Sequence, residues 1–203
     1  MEQTIQQKQV TGIILCGGKS QRMGKNKALL ELGGKYIISQ VIDTLLPFCT
    51  EIIISTNTKE LDFLGYRTIS DEKNNIGPIA GIYSALKASK TNKNIILSCD
   101  TPFINSGLLI KMQEVSQGFE IILPVFQGYL QAMTGIFDKS VLPLIEKELS
   151  EGNYIPPRIF EKCNLNKLQI GKENSFYDKH LFFNINSPED YQKAQEIIKL
   201  NNR

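Results

Sequence analysis

Short apolar runs alternate with amphipathic stretches along the chain. Val10 to Leu15 (VTGIIL), Glu51 to Ser55 (EIIIS), Asn94 to Cys99 (NIILSC) and Glu120 to Val125 each read as a strand, and Arg67 to Ser70 is a weaker one. Ile37 to Leu46, Gly81 to Ala88 and Leu108 to Val115 have helical spacing. A strand that is apolar on both faces must be covered on both faces. The pattern therefore predicts an α/β fold of three layers, with helices on either side of a mostly parallel central sheet. In such sheets ligands bind beyond the carboxyl ends of the strands. The residues just after each strand are therefore the ones to inspect.

The later part is less regular. Leu130 to Phe137 reads as a strand and Val141 to Leu149 as a helix. Pro156-Pro157 breaks the chain before a short helix around Arg158 to Glu161. Phe182 to Ile185 reads as a late strand. Ser187-Pro188-Glu189-Asp190 supplies an N-cap, a proline at the first helical position and acids in the first turn. That predicts a terminal helix to about Leu200. No linker divides the chain, and 203 residues suit one α/β domain over residues 1–203.

The formal net charge is +2, which argues against a nucleic-acid coat protein. The N-terminus is polar and Gln-rich, with no apolar run of signal-peptide type, and no stretch is long and apolar enough for a membrane helix. Cys16, Cys49, Cys99 and Cys163 form no CxxC pair and read as reduced thiols of a cytoplasmic protein. With His180 the sole histidine, a zinc site is disfavoured. A monomer is expected.

The first strand runs into Leu15-Cys16-Gly17-Gly18-Lys19-Ser20-Gln21-Arg22-Met23-Gly24-Lys25-Asn26-Lys27. Glycines let a backbone approach a ligand closely, and successive N–H groups can cradle an anion. Arg22 and Lys27 add charge that can reach phosphates. A tight turn with solvated basic residues would look similar. The length of the loop and its place after a buried first strand favour phosphate binding. Neither the GxxxxGK[ST] nor the GxGxxG pattern occurs.

This segment resembles the LxGGxSxRMGxxK signature of nucleotidyltransferases of the sugar-phosphate type, and most of all molybdenum cofactor guanylyltransferases. Cys16 stands where that family usually has Ala, and Asn26 where Asp usually precedes the lysine. The resemblance implies a Rossmann-like nucleotidyltransferase fold with a nucleotide-binding N-terminal half and an acceptor-binding C-terminal half.

Other strand ends extend the match. Asn57 and Asp71, which alone read as turn or cap residues, become nucleotide ligands by resemblance. Gly77-Pro78-Ile79-Ala80-Gly81 is an efficient helix start and also matches the family's GPxAG segment beside the nucleotide. Asp100 follows a buried strand and is a hard oxygen ligand suited to Mg²⁺. It could instead cap the next helix, a role open to Asn105 or Ser106. The resemblance, through a CDxP motif, makes Asp100 the metal ligand. Asn184 and Asn186, in a segment like NxNTPED, would bind the acceptor, although one of them could serve only the turn.

The resemblance implies transfer of GMP from GTP to molybdopterin, with pyrophosphate released and Mg²⁺ as cofactor. Leu15, Cys16, Gly17, Gly18, Asn57, Asp71, Gly77 and Pro78 would receive the nucleotide. Arg22, Lys27 and Asp100 would carry the transfer. Molybdoenzyme maturation proteins would be further partners. Gly17-Gly18 and the asparagine spelling at 184–186 point to guanine, whereas cytidylyl relatives commonly show Ala-Gly and Asp. A cytidylyltransferase and a non-catalytic nucleotide sensor are the rival readings.

Overall fold

The computed structural model describes residues 9–17, 26–73 and 75–201. In chain order the strands are β1 (Val10–Leu15), β2 (Glu31–Leu32), β3 (Lys35–Tyr36), β4 (Glu51–Ser55), β5 (Arg67–Ile69), β6 (Lys93–Ser98), β7 (Ile121–Phe126), β8 (Tyr129–Leu130), β9 (Gly135–Asp138) and β10 (Leu165–Ile170). The α-helices are α1 (Ile37–Leu45), α2 (Pro78–Ala88), α3 (Ser106–Glu114), α4 (Leu142–Ser150), α5 (Pro156–Phe160) and α6 (Pro188–Asn201). Short 3₁₀ turns punctuate them, including Lys27–Leu29.

The main sheet has the order β10-β7-β9-β6-β1-β4-β5, with β8 paired to β7. β6, β1, β4 and β5 are mutually parallel. β9 is antiparallel to both of its neighbours, and β10 pairs with β7 in parallel. The sheet is mixed but mostly parallel, as the apolar runs predict.

Alternation along the strands builds the two cores. From β1, Val10 and Ile14 join one buried cluster and Ile13 and Leu15 the other. The first cluster receives Ile38, Val41, Ile42 and Leu45 of α1 and Leu108, Leu109 and Met112 of α3. The second receives Ile79, Ile82, Ala85 and Leu86 of α2 with Ile145 and Leu149 of α4. These helical residues recur three or four positions apart, so each helix buries one stripe. Two helical layers thus sandwich the sheet. A smaller cluster of Leu32, Ile37, Ile185 and Ala194 ties α6 to the β2–β3 hairpin.

Two sequence expectations are corrected. Leu130 to Phe137 is not one strand. It is split into β8 and β9 by a turn in which Gln131 N–H bonds Pro124 O and Thr134 N–H bonds Gln131 O. The turn lets Ala132 and Met133 pack on the α2-side core. Phe182 to Ile185 is not a strand either. Its apolar residues serve different clusters, Phe182 stacking on Phe126 and Ile185 joining the α6 cluster, so no ladder forms. β10 escapes a reading by pattern because it is a half-exposed strand with polar residues at Asn166, Lys167 and Gln169.

Candidate nucleotide and metal site

Register aligns the ends of the parallel strands. Leu15 pairs with both Ser55 and Ser98, and Ser55 pairs with Ile69. The ladder runs slightly further through Cys16 N–H to Ser55 O, Cys99 N–H to Leu15 O, and Thr56 N–H to Ile69 O. Gly17, Asn57, Asp71 and Asp100 therefore leave the sheet at one edge, where the chemistry of a parallel sheet is expected.

Lys27 crosses to this edge from the far end of the glycine loop. Asn26 caps the 3₁₀ turn by accepting from Ala28 N–H at 3.1 Å, and its amide donates to Glu60 at 2.8 Å. An aspartate there could not make the second bond, so Asn26 orients Lys27 by a route open only to the amide. Ala28 is fully buried and anchors the turn. Lys27 Nζ then donates to Asp100 Oδ2 at 2.5 Å and to Asn186 Oδ1 at 3.2 Å. Both partners of the ion pair are largely shielded from solvent.

Asp100 is held from several sides. Ser98 Oγ donates to its Oδ1 at 2.5 Å, and its main-chain oxygen accepts from Ile185 N–H at 2.9 Å. It does not cap α3. Asn105 does, accepting from Leu108 N–H at 3.1 Å. Its carboxylate is thus left to the site. Ile185 docks the 184–186 segment on the Asp100 turn. Ser187 and Asp190 exchange bonds at the start of α6, and Asp190 also accepts from Asn186 N–H. That arrangement fixes Asn186. Asn184 stands exposed on the same segment.

Asn57 and Asp71 form a reciprocal pair. Asn57 Nδ2 donates to Asp71 Oδ2 at 2.8 Å and Asn57 Oδ1 accepts from Asp71 N–H at 2.9 Å. The first turns of α2 lie alongside. Gly77 opens that helix at φ +78°, a conformation glycine adopts at little cost, and Pro78 follows at the first helical position. At Gly81 an added Cβ would sit 2.7 Å from Ser55 Oγ and 3.4 Å from Asp71 Oδ1, so the glycine lets α2 press against the strand ends. At Gly17 no described atom lies within 4 Å of such a Cβ. Leu15 itself remains in the ladder with a buried side chain, and the N–H of Cys16 is already bonded. Gly17 is the first described residue past the ladder. Gly18 and Arg22 lie outside the described residues.

The Cys16 thiol is pushed well above the usual range by its hydrogen bond with the Cys99 thiol and by burial. It is a neutral packing group, not a nucleophile. Neither Ser98 nor the Ser55–Gly81 contact is signalled by the sequence patterns, beyond the small polar residue that interrupts the apolar run two positions before Asp100.

Among the described residues no group of three His, Cys, Asp or Glu side chains could hold a metal. Asp100 Oδ2 and Asn186 Oδ1 nevertheless converge on one cation, the Lys27 ammonium. Such a pair fits a hard divalent ion that takes its remaining ligands from phosphate oxygens and water.

Comparison with known proteins bears on the family and the fold. Residues 12–164 match the family model for a MobA-like NTP transferase domain. A protein of Carboxydothermus hydrogenoformans named a probable molybdenum cofactor guanylyltransferase is 33% identical, over 94% of this chain and 98% of its own length. One of the same name from Clostridium perfringens is 33% identical, over 91% and 96%. The crystal structure of molybdopterin-guanine dinucleotide biosynthesis protein A from Archaeoglobus fulgidus superimposes with a TM-score of 0.78 at 25% identity. That alignment covers 94% of this chain and 99% of the other.

Proposed function

The chain belongs to the family of MobA-like NTP transferases, and on that premise we propose that it transfers GMP from GTP to molybdopterin, releasing pyrophosphate. The observation that carries this reading is the contact of Lys27 with both Asp100 and Asn186 at the common edge of the parallel strands. It joins the glycine loop, the putting-out point of the central strand β6 and the late asparagine segment in one place. The relatives' names supply the nucleotide and the acceptor.

In the reaction a phosphate oxygen of the acceptor attacks the α-phosphorus of GTP, and the bond to the bridging oxygen of pyrophosphate breaks. The attacking phosphate is largely ionised near neutral pH, so no general base is required. Positioning and charge neutralisation are the main demands. Lys27 exchanges Asp100 for the incoming triphosphate and neutralises charge there, together with Arg22. Gly17 and Gly18 admit the nucleotide against the main chain. Asn57, Asp71, Gly77 and Pro78 bound its base and ribose.

Asp100 would hold Mg²⁺, with Asn186 beside it; the ion would neutralise phosphate charge and align the triphosphate. Asn184 and Asn186 face the acceptor. The N-terminal half of a single domain thus serves the nucleotide and the C-terminal half the acceptor. The four free cysteines fit a reducing, cytoplasmic setting.

The test is pyrophosphate release with Mg²⁺ and each nucleoside triphosphate, with and without molybdopterin. Release with GTP alone, and only with molybdopterin, is expected. Release with CTP instead would move the chain to a cytidylyl activity. GTP binding without release under any condition would sink the transferase reading.

A further inference from the structure

The two oxygens of Asp100 have different partners. Lys27 Nζ stands at Oδ2, and Ser98 Oγ donates to Oδ1 at 2.5 Å. Ser98 closes β6 two residues earlier, and Asp100 follows it in the turn that leaves the strand. It is itself fixed, because its carbonyl accepts from both the N–H and the hydroxyl of Thr101, the latter at 2.9 Å. The Asp100 main chain is pinned by Ile185. With backbone and one oxygen both tied, the carboxylate is restrained, and Oδ2 is the oxygen that meets Lys27.

We propose that Ser98 is a positioning residue that restricts Asp100 to one-oxygen coordination of the divalent cation and so favours Mg²⁺ or Mn²⁺ over Ca²⁺. The inference rests on the reading of Asp100 as the metal ligand. The reason is ligand geometry. Mg²⁺ demands a near-octahedral shell of short bonds and is commonly held by single carboxylate oxygens and water. Ca²⁺ accepts larger shells and takes carboxylates through both oxygens. A hydroxyl bonded to Oδ1 takes one of its lone pairs and holds that oxygen toward β6, which disfavours chelation through both oxygens. It has a single proton to give, and the carboxylate receives it. When a nucleotide draws Lys27 away, Oδ2 becomes available while Oδ1 stays tied.

The experiment is Mn²⁺ binding followed by electron paramagnetic resonance, in the presence of a GTP analogue that cannot transfer its α-phosphate, with Ca²⁺ as competitor. Wild type, Ser98→Ala, Ser98→Thr and Asp100→Asn are compared. Ser98→Ala should weaken Mn²⁺ binding by about 10-fold, the usual loss for a group that orients a metal ligand. It should also let Ca²⁺ compete at lower concentration, and Ser98→Thr should restore both properties. If Ser98→Ala proves poorly folded, Ser98→Cys under reducing conditions keeps the volume with a weaker donor and is read in the same way. Wild-type Mn²⁺ affinity and Ca²⁺ competition in the alanine or cysteine variant, with binding lost in Asp100→Asn, would overturn the role of Ser98 alone. Undiminished binding in Asp100→Asn would overturn the metal role of Asp100 itself.

Discussion

Lys27 and Asp100, 73 positions apart, meet with Nζ 2.5 Å from Oδ2 at the carboxyl edge of the sheet. The ammonium occupies the carboxylate that the proposed reaction assigns to the metal. Nucleotide entry must therefore rearrange the pair, and each partner has a separable consequence when removed.

Lys27→Ala removes the only described cation on Asp100 and a positive charge from the phosphate path. Transfer should fall by about 10² to 10³ in kcat/KM, the scale of losing one stabilising group at a charged transition state. Steady-state pyrophosphate release with GTP checks this. An unchanged kcat/KM would refute the phosphate role.

Asp100→Asn keeps the size of the side chain and a carbonyl oxygen for the Ser98 hydroxyl. We expect a folded protein with near-native circular dichroism and no pyrophosphate release at any Mg²⁺ concentration. Substantial turnover in this variant would show that the metal is held elsewhere.

Gly81→Ala would drive a methyl group to 2.7 Å from Ser55 Oγ, beside Asp71. The overpacking should cost about 1–3 kcal/mol and raise the KM for GTP by disturbing the Asn57–Asp71 pair. Removing the hydroxyl in Gly81→Ala/Ser55→Ala should recover part of both losses. Denaturant melts and GTP titration measure them. A double variant no better than the single one would mean that the clash lies elsewhere.

Burial pushes the thiols of Cys49 and Cys163 up to about 12 and about 11, from an ordinary value of 9.0. Above pH 9 the unfolded chain loses thiol protons that the folded chain keeps. The stability of the neutral thiols is therefore complete below about pH 9 and declines as pH rises through the folded values. Unfolding midpoints from pH 8 to 10.5 should fall less steeply in Cys49→Ala/Cys163→Ala than in wild type. Equal slopes would mean that these thiols titrate normally.

The Lys27–Asn186 contact spans 159 positions, and it marks the limit of what the sequence could say. The runs at Val10–Leu15, Glu51–Ser55 and Asn94–Cys99 pointed to a mostly parallel sheet with two covered faces, because strands apolar on both sides must be covered on both sides. The Ser187-Pro188 start of α6 was equally plain, since capping is a local matter of a few residues. The places to inspect after β1, β4, β5 and β6 followed from the strand pattern, whereas the roles of Asn57 and Asp71 came from the family resemblance, because each residue alone reads as a turn or cap.

Tertiary structure decided the rest. The sequence gives no distance between Asp100 and Lys27, and nothing in it says that Ser98 spends its proton on that carboxylate. Register sets the first by bringing the end of β1 beside the end of β6, and the turn after β6 sets the second. The breaks at Gln131–Thr134 and at Phe182–Ile185 also depended on the packed structure. Apolar residues there are divided between separate cores, and only the folded chain settles which core claims each one.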